Sequence, residues 1–170
     1  MASRATQLLI DAGLRNTGGI FKCDDGQGQL RFHGYLNTCI DAGLEISQKH
    51  VVWLDTPMTV DMKALGDYIF SRIEGCTGVV CYNDQVAYQL TEMALERGIR
   101  VPEELSVVGM DDSTLASMCK VPLTSFPHPK EELGRKAAEN MLHILDNPGY
   151  DGNVLYVTDP VYRDSVKKVQ

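Results

Sequence analysis

The chain has 170 residues, enough for one domain with a substantial core. Its hydrophobic content of 44% is ordinary for a soluble globular protein. No apolar run approaches the roughly 20 residues of a membrane span, and the first residues do not resemble a signal peptide, so export is not expected. The net charge of −7, without any basic cluster, indicates that these residues do not hold nucleic acid strongly by themselves.

Predicted helices and strands alternate with a spacing of roughly 25–30 residues. The first half is predicted as helix 3–12, strand 18–23, helix 28–42, strand 50–55, a loop at 56–59 and helix 60–74. The second half is predicted as strand 78–82, helix 84–97, strand 105–110, an irregular segment 113–121, strand 123–126, helix 130–145 and an edge strand at 154–161. This alternation predicts an α/β fold with a mainly parallel sheet.

Polar pairs follow two of the predicted strands. Asn83-Asp84 comes after the strand 78–82, and Asp111-Asp112 comes after the strand 105–110. Parallel strands end at the same edge of a sheet, and open α/β sheets bind ligands at that carboxyl edge. The sequence therefore predicts a pocket for a ligand rich in hydrogen-bonding groups, with Asp111 accepting from two hydroxyls.

Other interpretations of these polar residues remain open. Asp111-Asp112 and Asp24-Asp25 are also compatible with a metal or phosphoacceptor cluster, as in a receiver domain. Gly26-x-Gly28 resembles half of a dinucleotide-binding motif, although Arg31 stands where a third glycine is required, and a turn that opens a helix explains it equally. Arg31 is also compatible with a surface salt bridge, and His128, between two prolines, with a solvated linker.

The sequence contains no recognisable catalytic or metal-binding motif. There is no Gly-x-Ser-x-Gly elbow, no Cys with an obvious His partner and no Cys/His spacing typical of zinc. We therefore expect neither an enzyme nor a bound metal or cofactor. The scattered cysteines are expected to be reduced thiols in a cytosolic protein, and they are Cys23, Cys39, Cys76, Cys81 and Cys119.

A series of motifs occurs in chain order: Ala5-Thr6-x-x-Leu9-Ile10-x-x-Gly13, Arg31-x-x-Gly34-Tyr35, Asn83-Asp84-Gln85-x-Ala87, Gly98-x-x-Val101-Pro102-x-x-x-Ser106-Val107-Val108-Gly109-x-Asp111-Asp112, Pro122-Leu123-Thr124-Ser125 and Leu133-Gly134-x-x-Ala137-Ala138. Together they resemble the effector-binding domain of LacI/GalR-family transcription regulators. Three further segments are most similar to the arabinose-responsive AraR-type branch, in which a GntR-type winged helix-turn-helix precedes that domain: Phe21-Lys22-x-Asp24-Asp25, Cys81-Tyr82-Asn83-Asp84 and His128-Pro129-Lys130.

The resemblance implies a type I periplasmic-binding-protein-like fold, in which three crossovers join two α/β subdomains. Residues 1–122 then correspond to the carboxyl-side subdomain. Residues 123–152 carry a crossover strand and a helix of the other, mostly absent subdomain, and residues 153–170 form a return strand and tail. The DNA-binding module is then absent from this chain.

Position by position, the resemblance also implies an effector site. Arg31 matches an arginine that hydrogen-bonds the effector, and Asn83 and Asp111 match polar residues at the sugar hydroxyls. His128 lies on the crossover that faces the pocket, where the family often has Gln. A stacking aromatic is also expected, with Tyr82 as one possibility.

Five further residues have weaker or different implied roles. Gln27 and Lys22 are additional pocket candidates. The helix that begins near residue 85 contributes to a dimer interface in the family, which implies Val86, Tyr88 and Gln89 at that interface.

The implied function is that of a cytosolic, sugar-responsive regulator, expected to be a repressor, that binds DNA as a homodimer through the absent module. L-arabinose is the candidate effector, and no membrane partner is expected. With one jaw of the cleft, this chain is expected to bind sugar weakly or not at all. Helix 130–145 is expected to fold back, swap or bury its apolar face in an oligomer.

Two other classes of protein remain open at this point. A sugar-binding protein of a transporter has the same fold, and a receiver-like or nucleotide-binding α/β protein has similar strand ends.

Overall fold

The structure is a computed structural model that describes residues 1–45 and 47–167. Within these residues, five strands form one parallel sheet in the order β2-β1-β3-β4-β5. The strands are β1 (Thr17–Lys22), β2 (Val51–Leu54), β3 (Gly78–Cys81), β4 (Ser106–Asp111) and β5 (Thr124–Pro127). The α/β fold with a parallel sheet, predicted from the sequence, is confirmed.

Helices connect and cover the strands. They are α1 (Ala2–Asp11), α2 (Gly26–Asp41), α3 (Thr56–Val60), α4 (Gly66–Arg72), α5 (Asp84–Glu96), α6 (Thr114–Met118) and α7 (Lys130–Asp146), with short 3₁₀ turns at Gln48–His50 and Lys63–Leu65. Most of the predicted boundaries agree to within two residues.

The core lies on both faces of the sheet. Successive strand residues point to opposite faces, so Val79 packs with α4 and α5 while Val80 packs with α1 and α2. Val107 and Val108 divide between the faces in the same way. Burial on both faces explains why the strands read as continuous apolar runs in the sequence.

Side-chain caps fix the points at which the helices leave the carboxyl edge. The carboxylate of Asp25 accepts a hydrogen bond of 2.6 Å from the Gly28 N–H at the start of α2. Asn83 Oδ1 accepts one of 3.0 Å from the Val86 N–H at the start of α5. Each of these polar residues therefore lies between the end of a strand and the start of the next helix, and its side chain caps that helix.

The prediction for residues 56–74 is wrong in its first half. The predicted loop is the short helix α3, because Asp55 accepts a hydrogen bond of 2.9 Å from the Met58 N–H and Pro57 lies in the first turn. The predicted helix 60–74 is interrupted after α3. There the side chain of Gln89 accepts a 2.9 Å hydrogen bond from the Met62 N–H, and the helix resumes as α4.

Two later predictions also need correction. The segment 113–121, predicted as irregular, contains α6. The predicted edge strand 154–161 is not a strand: within these described residues, Val161 alone forms a bridge, which is antiparallel to Ser125. Leu155 is 89% exposed and Val157 is 70% exposed, so no sheet or core holds the first part of this segment.

The segment that contains α7 stands apart from the sheet. None of residues 130–146, all of which the structure describes, is buried. The helix contacts the segment that follows it, where the His143 and Tyr150 rings lie 5.0 Å apart and Asn140 donates a hydrogen bond to the Gly152 carbonyl. The chain then returns to the sheet at Val161.

Candidate functional site

The carboxyl edge of the sheet brings three of the predicted site residues together. Asp111 ends β4 and lies opposite Pro127 of β5, so the next residue, His128, is beside it. The His128 N–H donates a hydrogen bond of 3.4 Å to the Asp111 carbonyl. Arg31 reaches the same place from α2, with its guanidinium 3.3 Å from the Asp111 carboxylate. A guanidinium, a carboxylate and an imidazole therefore share one edge.

Arg31 is held in place by Tyr82, the residue after β3, as well as by Asp111. Its guanidinium donates to the backbone carbonyl of Tyr82 and lies over the Tyr82 ring, with its central carbon 4.5 Å from the ring centre. The Arg31 side chain is 13% exposed and that of Asp111 is 27% exposed. The ion pair is thus a half-buried part of the cleft wall and not a pair between freely solvated side chains.

Tyr82 also links Arg31 to the corner after β1. Its hydroxyl donates a 2.6 Å hydrogen bond to Asp25, whose carboxylate also lies 3.0 Å from the Lys22 ammonium. Burial alone would raise the pKa of Asp25, but hydrogen bonds from Tyr82, the Gly28 N–H and Lys22 lower that pKa overall. The sequence suggested Tyr82 as a stacking partner for a sugar, whereas in the structure its ring stacks on Arg31.

Lys22 lies at the predicted edge, but acidic side chains surround its charge. Its ammonium is 3.0 Å from Asp25 and 3.5 Å from Asp24. The hydrogen bond with Asp25 raises the pKa of Lys22. The ammonium is therefore neutralised locally and supports the corner. Sequence reasoning missed Asp25 in this supporting role, although an Asp before a helix-opening glycine is a recognisable N-cap signal.

Gln27 and Asn83 complete the predicted set. Exposed Gln27 lines a cavity of about 240 Å³ together with Arg31, His128 and the first turn of α1. Asn83 is half-buried at the end of β3, and the cap of α5 uses its carbonyl oxygen. Its amide NH₂ group is not needed for the cap and can donate to a ligand.

The three residues expected at a dimer interface have different environments. Val86 is fully buried in the core beneath α5, so it cannot contribute to a surface, and that prediction is corrected. Gln89 is half-buried and braces the α3–α4 connection, donating a 2.8 Å hydrogen bond to the Thr59 carbonyl. Tyr88 is half-buried and lines a groove of about 250 Å³.

The acidic pairs do not converge on a metal site. Asp111 faces Arg31, whereas the carboxylate of Asp112 is 2.8 Å from the Arg163 guanidinium. Among the residues that the structure describes, no group of three or more His, Cys, Asp or Glu side chains could hold a metal ion. The receiver-like interpretation therefore receives no support from the geometry.

In residues 1–45 and 47–167, no helix has both the length and the apolar content needed to cross a bilayer.

Comparison with known proteins places the whole arrangement in one family. The periplasmic binding protein-like domain matches residues 6–166. The arabinose metabolism transcriptional repressor of Halalkalibacterium halodurans is 36% identical over 148 residues, which cover 86% of this chain and 40% of that protein. The repressor of the same name from Geobacillus stearothermophilus is 31% identical over 169 residues, which cover 96% of this chain and 46% of that protein. The chain therefore spans less than half the length of these two relatives.

Among solved structures, the transcriptional regulator CelR in complex with cellobiose is similar to this chain with a TM-score of 0.85 and 28% sequence identity. The similarity covers 96% of this chain and 50% of that chain. These relatives are transcriptional regulators and not enzymes, as the sequence led us to expect. The resemblance to LacI/GalR-type regulators is confirmed, and the chain belongs to the family of periplasmic binding protein-like domains.

Proposed function

We propose that this chain is the carboxyl-side, effector-binding part of a cytoplasmic, sugar-responsive transcription repressor, and that L-arabinose is its effector. In this proposal the repressor is a homodimer that contacts DNA through a module outside residues 1–170. Two relatives named as arabinose metabolism repressors support the choice of sugar.

The observation that carries the proposal is the cluster of Arg31, Asp111 and His128 at the carboxyl edge. Asp111 supplies acceptors and Arg31 supplies donors, 3.3 Å apart, and Asn83 adds an amide donor at the end of the neighbouring strand. Adjacent hydroxyls of a sugar each need both a donor and an acceptor in fixed geometry, which such a set provides. The cluster contains no activated nucleophile, so it supports binding without catalysis.

Residues 123–152 were expected to belong to a second subdomain, but Thr124–Pro127 form β5 of this sheet. We therefore propose that only the part after β5, residues 128–152, belongs to a second subdomain that closes over this edge. α7 exposes an apolar face, with Leu142 65% exposed and Leu145 71% exposed, and such a face is expected to be covered in the assembled protein. The relatives are more than twice as long as the part that this chain matches, so they contain additional chain that can supply the cover. Residues 1–127, which include all five strands of the sheet, then form one jaw of a two-jawed cleft.

The mechanism follows from the two jaws. A sugar that touches both jaws binds the closed form more tightly than the open form, and it therefore shifts the population towards closure. In a dimer, closure changes the spacing of the DNA-binding modules, and the same linkage makes operator DNA oppose sugar binding. On this view Tyr88, beside the groove on α5, is the candidate residue at the dimer contact.

The first test of the proposal is to read the coding sequence upstream of Met1. A winged helix-turn-helix in frame is the expected result, whereas a secretion signal there would favour a sugar-binding protein of a transporter.

The second test uses the regulator expressed from the complete reading frame, with binding to its operator measured by gel shift. L-arabinose is expected to release the DNA, and its enantiomer D-arabinose serves as the control. Release is expected to be lost in Arg31→Ala. An operator complex that L-arabinose leaves intact would rule out this sugar as the effector.

A further inference from the structure

A buried hydrogen-bond network lies directly beneath the candidate site. Asp84 is 1% exposed, and its two carboxylate oxygens have different partners. One accepts a 2.5 Å hydrogen bond from the Ser125 hydroxyl, and the other accepts a 2.6 Å hydrogen bond from the Ser113 N–H. The Ser125 oxygen in turn accepts a 3.1 Å hydrogen bond from the Asp112 N–H. The Asp84–Ser125 pair therefore binds two consecutive backbone amides.

Those two amides belong to a strained turn. Asp111 has a φ of 103° and Asp112 a φ of 45°, and both values lie in a region that residues with a Cβ rarely occupy. Such conformations persist where the surrounding structure enforces them, and they are concentrated at functional sites. Here the N–H groups of Asp112 and Ser113 donate hydrogen bonds to Ser125 and Asp84, respectively.

The turn decides where the Asp111 carboxylate points. With this geometry its Oδ1 lies 3.3 Å from Arg31, and its carbonyl accepts the hydrogen bond from His128. In the ordinary extended conformation of a strand, the Asp111 side chain would leave in a different direction. The position of the half-buried Asp111 side chain is thus linked to a pair of residues that are themselves buried.

The Asp84 carboxylate fits beside β4 because residue 109 is a glycine. A Cβ at position 109 would lie 2.2 Å from Asp84 Oδ1, so a glycine in β4 allows the carboxylate to approach the strand. Burial disfavours the ionised form of Asp84 and raises its pKa. This buried carboxylate thus fits against a glycine and accepts hydrogen bonds from one backbone amide and one buried hydroxyl, as expected of a group that orients its neighbours.

We propose that Asp84 and Ser125 are positioning residues of the effector site, which hold the Asp111–Asp112 turn so that the Asp111 carboxylate faces the ligand. The identity of that ligand rests on the function proposed above, whereas the effect on the turn does not. Neither residue touches the ligand in this account, and both act through Asp111.

Ser125→Ala tests the proposal against a matched control, Ser165→Ala. Both serines are fully buried, and each hydroxyl accepts a hydrogen bond from a backbone N–H and donates one to an oxygen, which is the Asp84 carboxylate for Ser125 and the Val107 carbonyl for Ser165. Ser165 accepts a 2.8 Å hydrogen bond from the Thr124 N–H and donates one of 2.5 Å to the Val107 carbonyl, and among the described residues it makes no hydrogen bond to the Asp111–Asp112 turn. Loss of either hydroxyl is expected to destabilise the fold to a similar degree.

The decisive readout is the backbone conformation of residues 111 and 112, measured by NMR on the 170-residue chain through the intraresidue amide–Hα contacts that a positive φ makes strong. Ser125→Ala is expected to lose this signature, Ser165→Ala to keep it, and Ser125→Thr, which restores a hydroxyl, to recover it. A turn that is unchanged in Ser125→Ala would overturn the proposal. Should that variant not fold, Asp84→Ala serves instead, since it removes the acceptors of both the Ser113 N–H and the Ser125 hydroxyl, and an intact turn there would count equally against the proposal.

In the regulator from the complete reading frame, Ser125→Ala is expected to weaken L-arabinose binding by roughly tenfold to a hundredfold, the range for loss of outer partners that orient ligating groups in metal sites. Ser165→Ala is expected to bind as the wild type does. Equal affinities of Ser125→Ala and wild type would overturn the positioning role. A wild-type regulator that does not bind L-arabinose would instead refute the proposed identity of the ligand. The NMR measurement of the turn would still test the positioning role of Asp84 and Ser125.

Discussion

α5 and α7 are both amphipathic helices, but they have opposite fates in this structure. Seven of the 13 residues of α5 are buried, and the helix packs along β4. None of the 17 residues of α7, all within the described part of the chain, is buried. In both helices, the spacing of apolar residues in the sequence indicates an apolar face. The comparison shows that an amphipathic pattern predicts that a helix has a face to bury. The pattern does not show whether the surface that would cover this face is present.

Different interactions support the two helices. α5 is held by its Asn83 cap and by side chains such as Leu90 in the core. α7 has Glu131 and Glu132 in its first turn and an ion pair between Arg135 and Glu139, which are surface interactions of small effect. α5 therefore draws its stability from the tertiary fold, and α7 from its own sequence.

The largest expected contrast comes from truncating one leucine in each helix. Leu90→Ala, at a fully buried position of α5, is expected to lower the free energy of unfolding by about 2–5 kcal/mol because it leaves a cavity. Leu142→Ala, at a position of α7 that is 65% exposed, is expected to change it by less than about 0.5 kcal/mol. Urea unfolding in dilute solution measures both. A loss in Leu142→Ala as large as that in Leu90→Ala would show that α7 is already packed.

A pair of glycines gives the next contrast. Gly109→Ala places a Cβ 2.2 Å from Asp84 Oδ1 and is expected to destabilise the protein by roughly 1–3 kcal/mol through overpacking. Gly134→Ala, in α7, meets nothing within 4 Å and is expected to stabilise that helix by about 0.5–1 kcal/mol. Thermal unfolding measures the first change and helical circular dichroism the second. A stabilised Gly109→Ala would contradict the close approach of Asp84.

A third prediction concerns association through the apolar face of α7. The isolated chain is expected to self-associate as its concentration rises, because Leu142, Leu145 and Met141 (60% exposed) form an uncovered face. Leu142→Glu is expected to abolish the association, whereas Leu30→Glu, at a position of α2 that is 72% exposed, is the control and is expected to retain it. Sedimentation velocity distinguishes these outcomes. A wild-type chain that stays monomeric with α7 solvated would contradict the prediction.

The smallest expected effect is a pH dependence of stability that arises from Asp84, the first residue of α5. Burial raises the pKa of Asp84 above its ordinary value, and the nearby charge of Asp111 adds to this, despite the hydrogen bonds from Ser125 and Ser113. The folded state therefore binds the proton more tightly than the unfolded state does. The contribution of Asp84 to stability is greatest below the unfolded pKa of about 3.9 and declines as pH rises through the folded pKa.

Asp84→Asn cannot ionise, so it provides the reference. The free energy of unfolding of the wild type, minus that of Asp84→Asn, is expected to fall as pH rises from about 4 to 7. Urea unfolding of both proteins across this range measures the difference. A difference that stays constant, or that rises with pH, would show that Asp84 is not held at a raised pKa.

Much of the fold could be predicted from the sequence because local signals and global burial agree. Each strand of the sheet is a short apolar run followed by a polar corner, so β3 and β4 were located to within a residue or two. The prediction for residues 56–74 was wrong because the structure of this region depends on a side chain that is distant in the sequence. Gln89, far along the chain, holds the Met62 N–H and separates α3 from α4.

The candidate site shows the same division. Arg31, Asn83 and Asp111 could be placed at one edge because Asn83 and Asp111 lie at the ends of strands and Arg31 lies near the start of the helix that follows β1. The support beneath them could not be predicted. Ser125 and Asp84 lie 41 positions apart in the chain, and the conformation that they hold, with a φ of 103° at an Asp, has no local signature. Val86 was assigned to a dimer interface from the family resemblance, whereas its side chain packs on the buried face of α5.

The most direct test compares two neighbouring aspartates in the regulator from the complete reading frame, by isothermal titration with L-arabinose. Asp111 faces the candidate site beside Arg31, whereas Asp112 pairs with Arg163. Asp111→Asn is expected to weaken binding by about tenfold to a hundredfold, the loss expected for a charged hydrogen bond of about 1.5–3 kcal/mol. Asp112→Asn is expected to bind with nearly wild-type affinity. Wild-type affinity in Asp111→Asn would contradict the account, because the edge formed by Arg31, Asp111 and His128 would then not be where the sugar binds.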